Sequence, residues 1–128
     1  MGMKSVLQLF PVFFRIEVMY SNQDFLEISK IIRSFIPGTR EIILFGSYAR
    51  GEAKEDSDAD IAAIVEKRIN RMEKLFALGK AWDALGRLGY RVDIVIKEAN
   101  EFDMDKDEPV TLSHTIYHEG KCLWKTRA

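Results

Sequence analysis

Two aspartates, Asp58 and Asp60, are separated by one alanine at the head of the apolar run 60–65 (DIAAIV), and Asp93 lies inside another, 91–96 (RVDIVI). Residues two apart on a strand point to the same side, so Asp58 and Asp60 are expected to converge. Converging carboxylates repel unless a cation or a shared proton sits between them. A hard divalent ion such as Mg²⁺ answers this, because it takes oxygen ligands and keeps positions for phosphate oxygens. An Asp-x-Asp alone is weak, since most such pairs are solvated turn residues. Asp93 adds to it: a carboxylate in a β-branched strand is costly to bury without a partner. Two partners are open, Arg91 on the same face or the Asp58–Asp60 pair on a neighbouring strand. Three carboxylates together would suit two ions about 3.5–4 Å apart, one activating an attacking hydroxyl and one steadying a leaving phosphate.

Gly46-Ser47 follows the apolar run 41–45 (EIILF). Glycine there lets the backbone turn and approach a ligand, and exposed amides with a serine hydroxyl are suitable donors to phosphate oxygens. Gly46-x-x-x-x-Gly51 has the outline of a P-loop, but Glu52-Ala53 stand where Lys and Ser/Thr are required. No Gly-x-Gly-x-x-Gly is present. Arg50 could neutralise phosphate or pair with Glu52 or Asp56. Tyr48 could stack on a base or be a solvated aromatic. His114, His118 and Cys122 invite a zinc reading, which fails because Gly120 breaks the helix before Cys122 and no fourth ligand stands at a usual spacing.

The elements that must position these residues follow from periodicity. Ser21 or Asn22 caps a helix with Phe25, Ile28, Ile32, Phe35 and Ile36 at helical spacing, and Pro37-Gly38 ends it. Strands are expected at 41–45, 60–65 and 90–96, with a loop at 46–57 that has room for one helical turn. Between the second and third strands, 70–88 is helical, with Met72, Leu75, Phe76, Trp82 and Leu85 on its core face and Gly89 as C-terminal cap. Trp82 and Trp124 are expected in the core or an interface. Residues 97–108 are acidic and read as an irregular solvated loop. Asp107 caps a helix from Pro109 to Glu119, Gly120 stops it, and 121–125 (KCLWK) adds a short last strand. The expected fold is an α/β (α+β) domain, a small mixed sheet with helices packed on it.

At 128 residues the chain is sized for one domain. Hydrophobic residues make up 47% and charged residues 30%, an ordinary globular balance. A net charge of -1 argues against extended nucleic-acid contact, though one nucleotide can be held through a metal ion. The single cysteine fits a reducing, cytoplasmic setting. No run reaches the ~20 apolar residues of a membrane span. Residues 6–14 are apolar after Lys4, but Pro11, Arg15 and Glu17 and the lack of a small-residue cleavage site speak against a signal peptide. Residues 1–20 are therefore expected to be an arm, an added strand or an upstream extension, and 21–128 the domain.

The joint pattern of strand, Gly46-Ser47, Asp58-Ala59-Asp60 and a later strand with Asp93 resembles the DNA-polymerase-β-like nucleotidyltransferase superfamily. The stretch LFGSYARGEAKEDSDADIAAIV is especially similar to its minimal, single-domain members, and so are Glu119-Gly120-Lys121 and the short strand that follows. The resemblance implies a nucleotidyltransferase-like fold in which Asp58 and Asp60 bind Mg²⁺ and Asp93 is the third carboxylate of a two-metal site. It implies that Gly46 and Ser47 grip the triphosphate, with Arg50 matching an arginine often seen in minimal members. The activity implied is transfer of AMP from ATP to a hydroxyl. Minimal members are commonly paired with a helical HEPN-domain protein as the antitoxin of a toxin–antitoxin module, which gives the expected partner. Two alternatives are an antitoxin that acts by contact alone and a transferase acting on a small molecule such as an aminoglycoside. Ala59 departs from the larger apolar residue usual in the family, nothing within these 128 residues is long enough to be the second helical domain that helps larger members bind the acceptor, and a homo-oligomer is left open.

Overall fold

A computed structural model describes residues 19–127. Most of the arm expected at residues 1–20 lies outside them. Tyr20 packs edge-on against Phe25 and Tyr90, with ring centroids 6.1 and 5.3 Å away.

Helix α1 (Asn22–Phe35) begins at a capping box. The Ser21 hydroxyl accepts from the Asp24 amide at 3.2 Å, and the Asp24 carboxylate accepts from the Ser21 amide at 2.8 Å. Strand β1 (Thr39–Phe45) starts two residues earlier than its apolar run, because Thr39 still pairs with Val65 across the sheet. A short helix, α2 (Gly46–Arg50), supplies the helical turn expected after β1. Strand β2 (Ala59–Val65) follows, then helix α3 (Arg71–Arg87), whose Asn70 cap accepts from the Glu73 amide at 2.9 Å. Its far end closes in a Schellman motif, with the Tyr90 amide donating to Leu85 O and the Gly89 amide to Gly86 O. Strand β3 (Val92–Glu98) therefore begins later than expected, since Tyr90 is spent on closing α3.

The acidic stretch expected to be irregular contains helix α4 (Ala99–Asp105). The Glu98 carboxylate caps it, accepting from the Asn100 and Glu101 amides at 3.2 Å, and Ala99 and Phe102 are buried. Helix α5 (Leu112–Glu119) starts three residues beyond Pro109 and is capped by Thr111 rather than Asp107, the Thr111 hydroxyl accepting from the His114 amide at 3.0 Å. Strand β4 (Lys121–Lys125) completes the sheet.

The strand order is β3-β2-β1-β4. Strand β1 runs antiparallel to β2 and β4, and β2 runs parallel to β3, so the sheet is mixed as expected. The two-residue alternation of the strands divides the core. Ile61, Ala63 and Val65 pack with α1 and α3, while Ala62 and Ile64 pack with Phe45, Phe102 and Ile116 beneath α4 and α5.

Helix α3 corrects one expectation. Its buried residues are Ala77, Leu78, Ala81 and Leu85, while Met72, Leu75, Phe76 and Trp82 face solvent. Two apolar stripes share this helix, and the one with small alanines is the one that fits close against α1 and the sheet. Trp124 is half-buried under the Arg33 guanidinium, 4.4 Å from the ring centroid. No helix among the described residues is long and apolar enough to cross a membrane.

Candidate active site

The site forms where β1 ends and β2 and β3 begin. Asp60 stands opposite Phe45 of β1 on one side and Asp93 of β3 on the other. Both aspartates alternate in phase with Ala62 and Val95, which puts them on the α4–α5 face of the sheet. The core of β2 thus continues into Asp60 with no break in the pleat.

Gly46 follows Phe45 directly and has φ +74°, a left-handed conformation. A Cβ there would lie 2.1 Å from Asp60 Oδ2. Position 46 therefore requires glycine on two grounds, backbone and space. The close approach brings the start of α2, with Ser47 next in sequence, against the Asp60 carboxylate.

Asp60 is half-buried, and its pKa is raised, first by burial and next by the charges of Asp93 and Asp58; Arg50 opposes this and Glu119 adds to it. Several negative groups thus share one end of the sheet. Asp58 is exposed, just outside β2, and Arg91 Nε donates to its Oδ1 at 3.0 Å. Arg91 therefore pairs with Asp58, whereas a pairing with Asp93 was one of the two arrangements left open by the sequence. Asp93 itself is exposed, so its position in an apolar strand does not entail burial.

Arg50 is held by two carboxylates. Its Nε donates to Glu52 and its Nη1 to both oxygens of Glu119, at 3.3 and 3.4 Å. The pairing with Glu52 was one of the two readings open in the sequence; Glu119 was not foreseen. Glu119 Oε1 also accepts from the Gly46 amide at 2.9 Å. A signal for Glu119 existed: a glutamate in the last turn of a helix opposes the macrodipole, and such a residue calls for a cationic or N–H partner elsewhere.

Tyr48 is half-buried rather than a solvated aromatic. Its ring stacks on Tyr20 at 5.5 Å with planes 2° apart, meets Phe25 edge-on at 5.4 Å, and its hydroxyl accepts from the Tyr20 amide at 3.3 Å. Burial pushes its pKa up. These contacts make Tyr48 part of the packing of α2 onto α1. His114 and His118 lie 4.1 Å apart between ring centroids.

Among the described residues, no three His, Cys, Asp or Glu side chains are gathered closely enough to hold a metal ion as they stand. The donor chemistry of the Asp60 end nonetheless suits a hard cation. It offers carboxylate oxygens on adjacent, in-register strands, with Asp60 raised in proton affinity by burial and by the charges of Asp93 and Asp58, and Asp58 engaged by Arg91. Cavities of about 700 and 680 Å³ flank Arg68 and Ile69 beyond the far end of β2, and neither includes these carboxylates.

A mixed sheet thus delivers Gly46 and two facing aspartates to one end, an arrangement consistent with the nucleotidyltransferase class. Residues 26–118 match the model of the nucleotidyltransferase domain family, and the chain belongs to that family. It is 52% identical over 62 residues to the protein adenylyltransferase MntA of Thermococcus cleftensis, across 48% of this chain and 60% of that protein. The chain thus spans less than two-thirds of the length of that relative. Among solved structures, a toxin–antitoxin complex with AMP-PNP is similar at a TM-score of 0.58 and 28% identity, covering 81% of this chain and 75% of the other. A tri-AMPylated Shewanella oneidensis HEPN toxin in complex with its MNT antitoxin gives 0.53 and 26%, covering 83% and 74%.

Proposed function

We propose that this chain is an Mg²⁺-dependent protein adenylyltransferase that moves AMP from ATP to a hydroxyl of a helical HEPN-type partner and serves as that partner's antitoxin. The observation that carries the reading is the register pairing of Asp60 with Asp93 beside the left-handed Gly46. It is supported by the likeness to MntA and by neighbours that are toxin–antitoxin complexes, one with AMP-PNP and one with an AMPylated toxin.

Asp58, Asp60 and Asp93 would hold the metal, Asp58 exchanging its bond with Arg91 for the ion. Bound Mg²⁺ would supply positive charge to the triphosphate and to the departing pyrophosphate. Gly46 and Ser47 would position the β- and γ-phosphates, with Arg50 nearby. The acceptor hydroxyl oxygen bonds to the α-phosphorus as the α–β anhydride bond breaks, and pyrophosphate leaves with the bonding electrons. Asp93, exposed at the start of β3, would hold the second ion or take the hydroxyl proton. A cytoplasmic location accords with the chemistry, since ATP and a reduced Cys122 belong there.

A second reading, an antitoxin acting by contact alone, is favoured by the Arg91–Asp58 ion pair, which engages one of the three carboxylates. Co-expression with the helical product of the neighbouring gene separates the two. The enzyme reading expects the partner's intact mass to rise by one or more AMP units with the wild type and not with Asp60→Asn, while the complex survives. Neutralisation without any mass change, equally good with Asp60→Asn, supports the contact reading instead.

A further inference from the structure

We propose that Glu119 is a positioning residue for the nucleotide grip: its carboxylate, brought in from the end of α5, anchors the Gly46 peptide so that the Gly46–Ser47 turn is held ready against Asp60. This rests on the reading of Gly46 and Ser47 as the triphosphate grip.

The geometry is specific. Glu119 Oε1 accepts from the Gly46 amide at 2.9 Å, and both its oxygens accept from Arg50 Nη1. One carboxylate therefore ties the first and last residues of α2 to a helix 69 to 73 positions away in sequence. Helix α2 has only five residues and its N-cap, Phe45, offers no side-chain hydrogen bond. Without Glu119 the Gly46 amide would lose its bond, and a helix of this length has little stability of its own.

The place of Glu119 is itself fixed by the next residue. A Cβ on Gly120 would lie 2.1 Å from Ile116 O and 2.4 Å from Ile43 Cγ2, so the chain passes tightly over β1 immediately after Glu119. The path from the core is continuous: Ile43 and Ile116 lie in one core cluster, Gly120 closes on both, and Glu119 projects to Gly46. The left-handed Gly46 and its close contact with Asp60 leave little tolerance for a shift of the turn. Arg50, paired with both Glu52 and Glu119, acts in this arrangement as the cation that keeps the Glu119 carboxylate aimed at the turn.

A bond to the peptide predicts a different order of variants from a purely ionic role. In Glu119→Gln the amide oxygen can still accept from the Gly46 N–H; in Glu119→Ala nothing can. The test is calorimetric titration of ATP with Mg²⁺ into wild type, Glu119→Gln and Glu119→Ala, at a temperature where melting curves show each fully folded. The expected result is an affinity loss of about 10-fold or more for Glu119→Ala, the scale of one charged hydrogen bond, with at least half of the free-energy loss recovered in Glu119→Gln. In transfer assays, KM for ATP should rise in Glu119→Ala while kcat stays within about 3-fold, a much smaller effect than loss of a transition-state contact. Wild-type affinity in Glu119→Ala overturns the inference, as does Glu119→Gln binding no better than Glu119→Ala. Tighter binding in both variants also overturns it, marking the carboxylate as a competitor of the phosphates. Failure of the wild type to bind ATP contradicts instead the reading of the grip itself.

Discussion

Asp60 concentrates the electrostatics of the site. Burial and the neighbouring Asp93 and Asp58 raise its pKa, so the folded state without metal holds a proton that the unfolded chain gives up more readily. Stability of the metal-free protein should therefore fall as pH rises from the ordinary aspartate value of 3.8 through the raised one. Asp60→Asn is expected to flatten this part of the profile and to raise the melting temperature at neutral pH, checked by thermal melts across pH in the presence of a chelator. Gly46→Ala should act in the opposite sense. It meets both a positive φ and the Asp60 carboxylate, and a loss of about 1–3 kcal/mol in denaturant unfolding is expected. At this scale the sequence was readable where spacing carries meaning: Asp60 and Asp93 are brought to adjacent strands and Gly46 beside them. It was unreadable where meaning depends on contacts far along the chain. Arg91 could equally have served Asp93 or Asp58, and Glu119 meets Gly46 only because α5 returns across the sheet.

The elements follow their local signals where these are complete. Ser21 with Asp24 starts α1, and the Gly89 closure ends α3. Helix α3 shows how periodicity misleads. Met72, Leu75, Phe76 and Trp82 form the heavier apolar stripe, and yet the lighter one, Ala77, Leu78, Ala81 and Leu85, is buried. Hydrophobicity ranks the stripes by size, whereas packing selects the one that lets helix and sheet approach. Leu85→Ala is accordingly expected to cost about 2–5 kcal/mol, and Phe76→Ser, at a side chain 66% exposed, to stay within about 0.5 kcal/mol. Urea unfolding of the two variants measures the contrast, and equal losses would mean that the wrong face has been assigned to the core. Helix α4 was hidden for a different reason. Only Ala99 and Phe102 anchor it among acidic residues, and its cap is Glu98, a residue type whose capping role rests on side-chain reach rather than on preference.

In the molecule as a whole, a four-stranded mixed sheet carries helices on both faces and brings Asp60 and Asp93 together at one end of β2. The antiparallel β1–β2 pair brings Gly46 to Asp60, and the parallel β2–β3 pair brings Asp93. Every motif of the site lies after Ser21, so a chain starting at Met19 is expected to fold and to bind nucleotide as the full chain does, measured by melting temperature and titration. The central claim is that this carboxylate end is a metal-dependent nucleotide site. Calorimetric titration of ATP into the full chain, once with Mg²⁺ and once with a chelator, tests it most directly. The account predicts binding with Mg²⁺ that is lost with the chelator and lost in Asp60→Asn, a variant that melts no lower than wild type. ATP affinity that is the same with and without the divalent ion, or unchanged in Asp60→Asn, would contradict it.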